Sequence, residues 1–197
     1  MNKPIEQAAF FPQIVTSGRI MLGTMAICCL LYPALILGIG QTVTPHTANG
    51  SLIRNDEGKI IGSRIIAQSF SRPEYLWPRP SAVDYNAAAT GGSNLSPANL
   101  AVGDRARQII SRLGDNAGEM VPTDLVTASG SGVDPNITLK AARYQAQRVA
   151  SARSLPVKSV LSLIDRHAIR TGGFLTPEPV VNVLQVNLAL DRLERSR

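Results

Sequence analysis

Cysteine, histidine and aromatic residues are scarce in this 197-residue chain, which has two Cys, two His, one Trp, four Tyr and four Phe. Two cysteines cannot frame a disulfide scaffold, and His46 and His167 have no second ligand at metal spacing. A solvent-facing or capping role is expected for both histidines. Charged residues make up 17% of the chain, below the roughly 25% of ordinary soluble domains. GxSxG, HExxH and P-loop patterns are missing, so hydrolase and nucleotide-hydrolysing readings have no motif to rest on. The formal net charge is +6, yet the basic residues are not interleaved with aromatics that would stack on bases. Nucleic acid is therefore not an expected partner.

What the chain does have is one long apolar run. Ile20 to Gly40 is 21 residues without a charge, 16 of them apolar. As a helix it reaches about 31 Å, the thickness of a bilayer's hydrocarbon core. Pro33 inside the run implies a kink packed against a neighbouring helix that re-satisfies the freed carbonyl. Cys28 and Cys29 are expected as apolar packing groups within the bilayer. Lys3 and Arg19 precede the run, while Gln41 to Ile53 carries no Lys or Arg, which places residues 1–19 in the cytoplasm and 41–197 outside it. The run exceeds the 7–15 apolar residues of a signal peptide, so an uncleaved anchor at 20–40 is favoured.

Residues 41–50 read as a short exit linker and 51–197 as one exported domain. Strands are expected at Ser51–Arg54 and Lys59–Gly62 around an Asn-Asp-Glu-Gly turn. Three prolines between Arg72 and Pro80 require an extended path. Ser96 as N-cap with Pro97 at N1 predicts a helix that Gly114 stops. A second helix is expected from Thr138 to about Arg153, its small face (Ala142, Ala146, Val149, Ala150) lying close against a sheet. A third starts at Pro156. Val180–Val186 reads as a strand with helix after it to Arg195. The fold class is α/β: one N-terminal transmembrane helix followed by a single mixed α/β exported domain.

The loop Thr127–Pro135 (TASGSGVDP) sets glycines beside hydroxyls and Asp134. Two readings stand: an ion-binding nest, or a tight turn into the helix at Thr138. The nest would make the chain a membrane-anchored enzyme or ligand sensor acting through Ser129–Asp134.

Seven segments in one order resemble a known family. They are Tyr32-Pro33, Ala48–Ile53 (ANGSLI), Arg79–Asn86 (RPSAVDYN), Gly91–Leu95 (GGSNL), Val121–Thr138, Gln147–Leu155 (QRVASARSL) and Glu178–Leu193. Together they resemble the KdpC family of the bacterial Kdp-type potassium-transporting ATPases. That resemblance implies a non-catalytic, single-span subunit of the inner membrane with a periplasmic domain. Its implied partners are a channel-like potassium-binding subunit, a P-type ATP-hydrolysing subunit and membrane lipid. It also implies a catalytic-chaperone role that raises ATP affinity, with ATP reached through the partner subunit and no cofactor held by the chain itself. Arg79, Ser81, Asn94, Ser129 and Asp134 are the candidate partner contacts, and Tyr32 and Pro33 the packing positions of the membrane helix.

Overall fold

The structure is a computed structural model, and it describes residues 10–114, 118–170 and 178–195. The chain divides into two compact units, Met1–Ser51 and Leu52–Arg197. In the first unit, α1 (Phe10–Met25), a π-helical turn (Ala26–Leu31) and α2 (Tyr32–Val43) run on as one 34-residue helix, with an 18-residue stretch of mean hydropathy 2.3. It is about 50 Å long, longer at both ends than the apolar run itself. Pro33 is accommodated by the π turn: the Tyr32 N–H donates to the Ile27 carbonyl, five residues back. The widened turn lies directly before the ring that would otherwise clash with a carbonyl four residues back. None of the described residues of this helix is buried, and Tyr32 is exposed.

The stretch 41–50 is more folded than a linker. α2 continues to Val43, α3 (Pro45–Ala48) adds a helical turn, and the Gln41 and Asn49 side-chain amides bond each other in both directions at 3.1 and 3.2 Å.

Among its described residues the second unit is about two-fifths helix with little strand. β1 (Leu52–Arg54) and β2 (Ile60–Ser63) form the expected antiparallel hairpin, with the Asn55 side chain accepting from the Glu57 and Lys59 N–H groups in its turn. α4 (Leu100–Leu113) starts later than Ser96-Pro97 implies. Ser96 to Asn99 is a turn, and the Asn99 side chain caps the helix by accepting from Ala101 N at 2.9 Å. α5 (Thr123–Val126) follows, then β3 (Asn136–Thr138), which pairs antiparallel with β4 (Val180–Asn182).

Thr138–Arg153 is not one helix. It is a strand end followed by α6 (Leu139–Tyr144) and α7 (Ala146–Ala152), divided at Gln145. The small-residue face is buried as expected, but it meets α8 (Val157–Arg166) rather than a broad sheet. Val180–Val186 also changes type after three residues. Asn182 accepts from Gln185 N at 3.1 Å, and α9 (Val183–Arg195) begins there, burying Val183, Val186 and Leu190 at helical spacing.

The reason for the break at Gln145 lies in the proline-rich segment. Gln145 accepts from the Trp77 N–H at 2.9 Å and donates to the Trp77 carbonyl at 3.1 Å. Asn187 does the same for Leu76, at 2.8 and 3.0 Å. Leu76 has no accessible surface, and both amides are buried. Two side chains thus replace the neighbouring strand that the prolines exclude.

Guanidinium groups finish the attachment. Arg148 donates to the Pro73 and Tyr75 carbonyls and to Gln145, and its guanidinium carbon lies 3.8 Å from the centre of the Trp77 ring. Arg112 lies over the same ring at 4.2 Å. Burial and the neighbouring Arg112 charge pull Arg148 down to about 10, still well above neutrality. Arg153, whose side chain is 2% exposed, bonds Asp191 (2.6 Å), Glu194 (2.7 Å) and the Glu74 carbonyl (2.7 Å). Basic and aromatic residues therefore do stack, but within the fold.

Replacing Gln145 by Leu would strand a buried N–H and a buried carbonyl on Trp77, at a cost of about 2–5 kcal/mol. Thermal unfolding of the full chain in detergent, followed by the near-UV circular dichroism of Trp77, is expected to show a clearly lower midpoint for Gln145→Leu. An unchanged midpoint would mean the clamp contributes nothing net.

Candidate functional site

Beyond Trp77 the chain runs through Pro78 into three loops that interlock. In the first, Pro80 accepts from the Ser129 N–H at 2.9 Å, and Ser81 Oγ accepts from Val83 N (3.1 Å) and Tyr85 N (2.9 Å). Asp84 and Tyr85 both adopt left-handed backbone, at φ 51° and 58°. The Tyr85 hydroxyl returns to donate to the Arg79 carbonyl at 2.9 Å. Burial raises the Tyr85 pKa against the opposing pull of Arg112, which keeps that hydroxyl a donor.

The second loop is Ser129–Asp134. Ser129 is buried and its Oγ accepts from Gly132 N at 3.2 Å, while Ser131 Oγ accepts from Val133 N at 3.2 Å. Asp134 Oδ1 accepts from Asn136 N at 3.0 Å and leads the chain into β3. The N–H groups of Ser129, Gly132 and Val133 are thus occupied within the protein. Of the two readings of TASGSGVDP, the turn is the one these bonds support.

Glycines let the third loop in. Gly91 N donates to the Ser131 carbonyl at 2.9 Å, and a Cβ on Gly92 would stand 3.1 Å from the Gly130 carbonyl oxygen. Gly132, at φ +71°, has no room at all: a Cβ would lie 2.6 Å from Val83 Cγ2 and 2.8 Å from the Gly91 carbonyl oxygen.

Arg79 bridges the first two loops. One guanidinium nitrogen lies 3.7 Å from Asp134 Oδ2 and another reaches the Ala128 carbonyl at 3.5 Å. Four of the five predicted contact residues (Arg79, Ser81, Ser129 and Asp134) therefore come together. Asn94 does not join them; it is exposed, at φ 50°, with no hydrogen bond tying it to the cluster among the described residues. Arg79 also borders an open cavity of about 450 Å³ with Pro122, Asp124, Thr127, Thr138 and Lys140. Asp124 is engaged there, accepting from the Thr138 N–H at 2.8 Å and its hydroxyl at 3.3 Å.

Sequence reasoning missed Asp124, Tyr85 and Lys140 as neighbours of this cluster. Only the Asp124-to-Thr138 bond has a local signal, since the pattern already starts a helix at Thr138. Among the described residues, no group of three or more His, Cys, Asp or Glu could hold a metal ion. His167 takes the expected capping position, its Nδ1 lying 2.9 Å from the Leu163 carbonyl.

The matched sequence spans both units. Residues 14–192 match the family described as K+-transporting ATPase, c chain (KdpC). The chain belongs to the KdpC family. Among relatives named potassium-transporting ATPase KdpC subunit, that of Parvibaculum lavamentivorans is 50% identical over 180 residues, covering 91% of this chain and 96% of its own. The relative from Herminiimonas arsenicoxydans is 48% identical over 172 residues, covering 84% and 90%. That from Paraburkholderia phymatum is 43% identical over 196 residues, covering 96% and 99%. This KdpC chain is a subunit of a potassium-transporting ATPase, and its interlocked loops fall within the matched stretch.

Gly132→Ala is expected to open the KdpC loop cluster, because strained backbone and two close contacts act together. Gly130→Ala, with nothing within 4 Å of its Cβ position, is the control. Limited proteolysis of the two full-length variants should cut Gly132→Ala near residues 79–95 much faster than Gly130→Ala. Equal rates would show that the loops are not held by this contact.

Proposed function

We propose that the chain is the non-catalytic accessory subunit of an ATP-driven potassium uptake complex, acting through contacts with a channel-like potassium-binding subunit and a P-type ATP-hydrolysing subunit. The observation that carries this reading is a membrane-length apolar helix with none of its described residues buried, joined to a domain of its own. Such a helix needs lipid or other helices around it. Lys3 and Arg19 before the apolar run, against a Gln41–Ile53 stretch free of Lys and Arg, support a cytoplasmic N-terminus and a periplasmic domain in the inner membrane. The serine hydroxyls and Asp134 of the loop cluster are committed to turns, which favours a binding surface over reaction chemistry. Arg79, Ser81, Asn94, Ser129 and Asp134 are the loop positions from which that surface would reach the partners.

In this orientation the domain and cytoplasmic ATP lie on opposite sides of the membrane. The catalytic-chaperone effect on ATP affinity is therefore passed through the partner subunits, with the domain bracing the outer mouth of the channel-like subunit. Complexes lacking residues 52–195 are expected to show weaker potassium affinity and weaker apparent ATP affinity at normal expression. Unchanged values for both would sink the proposal.

Orientation has its own check. With Cys28 and Cys29 replaced by Ser, a Gln108→Cys label site on exposed α4 should react with a membrane-impermeant maleimide in spheroplasts. Reaction only after lysis would put the domain on the cytoplasmic side.

A further inference from the structure

The β1–β2 hairpin has two unlike faces. Gln68 covers one of them, donating to the Ile61 carbonyl at 3.1 Å and crowding Gly62 so closely that a Cβ there would run into its amide. Leu52 and Arg54, two residues apart, share the other face, and the strand register puts Ile60 directly across from Arg54. Leu52 is 38% exposed, Ile60 48% and Ile65, just past β2, 50%. The open face of an antiparallel pair is ordinarily polar. Here it carries branched aliphatic side chains and Arg54, while Lys59 and Arg64 adjoin Ile60 and Ile65 in the chain. None of these three cations has an ion pair among the described residues, whereas Asp56 is engaged by Arg195 at 3.4 Å. Glu57 is the one acid of the hairpin left without a cation there.

The covalent chain supplies the second observation. β1 begins nine residues after Val43, where the apolar helix ends. Nine extended residues reach about 31 Å at most, and the helical turn Pro45–Ala48 shortens that reach. Leu52 is therefore tethered within about 31 Å of the end of the apolar helix.

We propose that this hairpin face is a lipid-binding surface. Leu52, Ile60 and Ile65 settle at the acyl boundary of the bilayer that holds the chain's own helix, and Arg54, Lys59 and Arg64 meet anionic lipid phosphates. Aliphatic groups with cations beside them in the chain are the combination an anionic interface retains. The proposal rests on the helix spanning the bilayer and not on which partners assemble around it.

The test uses the full chain with Cys28→Ser and Cys29→Ser, reconstituted in vesicles of phosphatidylethanolamine and phosphatidylglycerol. Spin labels are placed singly through Ile60→Cys, Leu52→Cys, Leu100→Cys on exposed α4, and Ile36→Cys within the helix. Labels at 60 and 52 are expected to collide with oxygen, relative to a water-soluble nickel chelate, severalfold more often than the label at 100. Lys59→Glu with Arg64→Glu should lower the docked fraction by about fivefold per cation removed in these vesicles but not in phosphatidylcholine. Labels at 60 and 52 as nickel-accessible as that at 100, with the label at 36 immersed in lipid, would overturn the hairpin proposal alone. A label at 36 exposed to nickel would overturn the membrane helix and the hairpin proposal with it. Labels at 60 and 52 that are wet in vesicles and shielded only in the assembled complex would assign the face to a protein partner, which also overturns it.

Discussion

Two buried carboxamides, Gln145 and Asn187, hold the second unit in its shape. Leu76 and Trp77 sit in a segment where prolines prevent sheet pairing, yet their peptide groups are buried and must be bonded. A glutamine between two helices and an asparagine on a third each present a donor and an acceptor to one residue's peptide groups. Everything nearby follows from that attachment. Gln145 divides α6 from α7, Trp77 becomes the plate on which Arg112 and Arg148 stack, and Pro78 delivers Arg79 to the loop cluster.

The sequence carried the local signals well and the long-range ones poorly. The hairpin, the Gly114 stop, the buried small face of the second helix and the loop position of Arg79, Ser81, Ser129 and Asp134 were all legible, because each depends on residues close in the chain. The later start of α4 was a competition between two good caps. Ser96 and Asn99 both suit the role, and the turn at Ser96-Pro97 leaves the cap to Asn99. The strand expected at Val180–Val186 ends early for a similar reason, since Asn182 caps a helix in the middle of an apolar run that suits either period. The break at Gln145 was not legible. Its cause is a peptide 68 residues away, and nothing in the pattern around Gln145 announces it.

The basic character of the chain also reads differently once folded. Arg72, Arg112, Arg148 and Arg153 lie over Trp77 or Tyr75 at 3.8 to 5.0 Å. Arg153 additionally ties α7 to Asp191 and Glu194 of α9. Part of the positive excess is thus structural, which is why an isoelectric point near 9.8 gives no reason to look for nucleic acid. The few aromatic rings are not a weakness of the core either, because Trp77 and Tyr75 work as platforms for cations as well as apolar filler.

The π turn before Pro33 gives the long apolar helix something a plain apolar rod does not have. A proline brings no N–H, so the turn ahead of it keeps a carbonyl without its usual helical donor, on one side of the cylinder only. In hydrocarbon, a rod of uniform Leu and Ile surface can spin about its axis at no cost. Were this helix to span a bilayer, the carbonyl freed by Pro33 would make one side of it more polar, and turning that side toward a neighbouring protein rather than toward lipid would be worth free energy. In a bilayer, that carbonyl would bias such a helix in rotation as well as in depth.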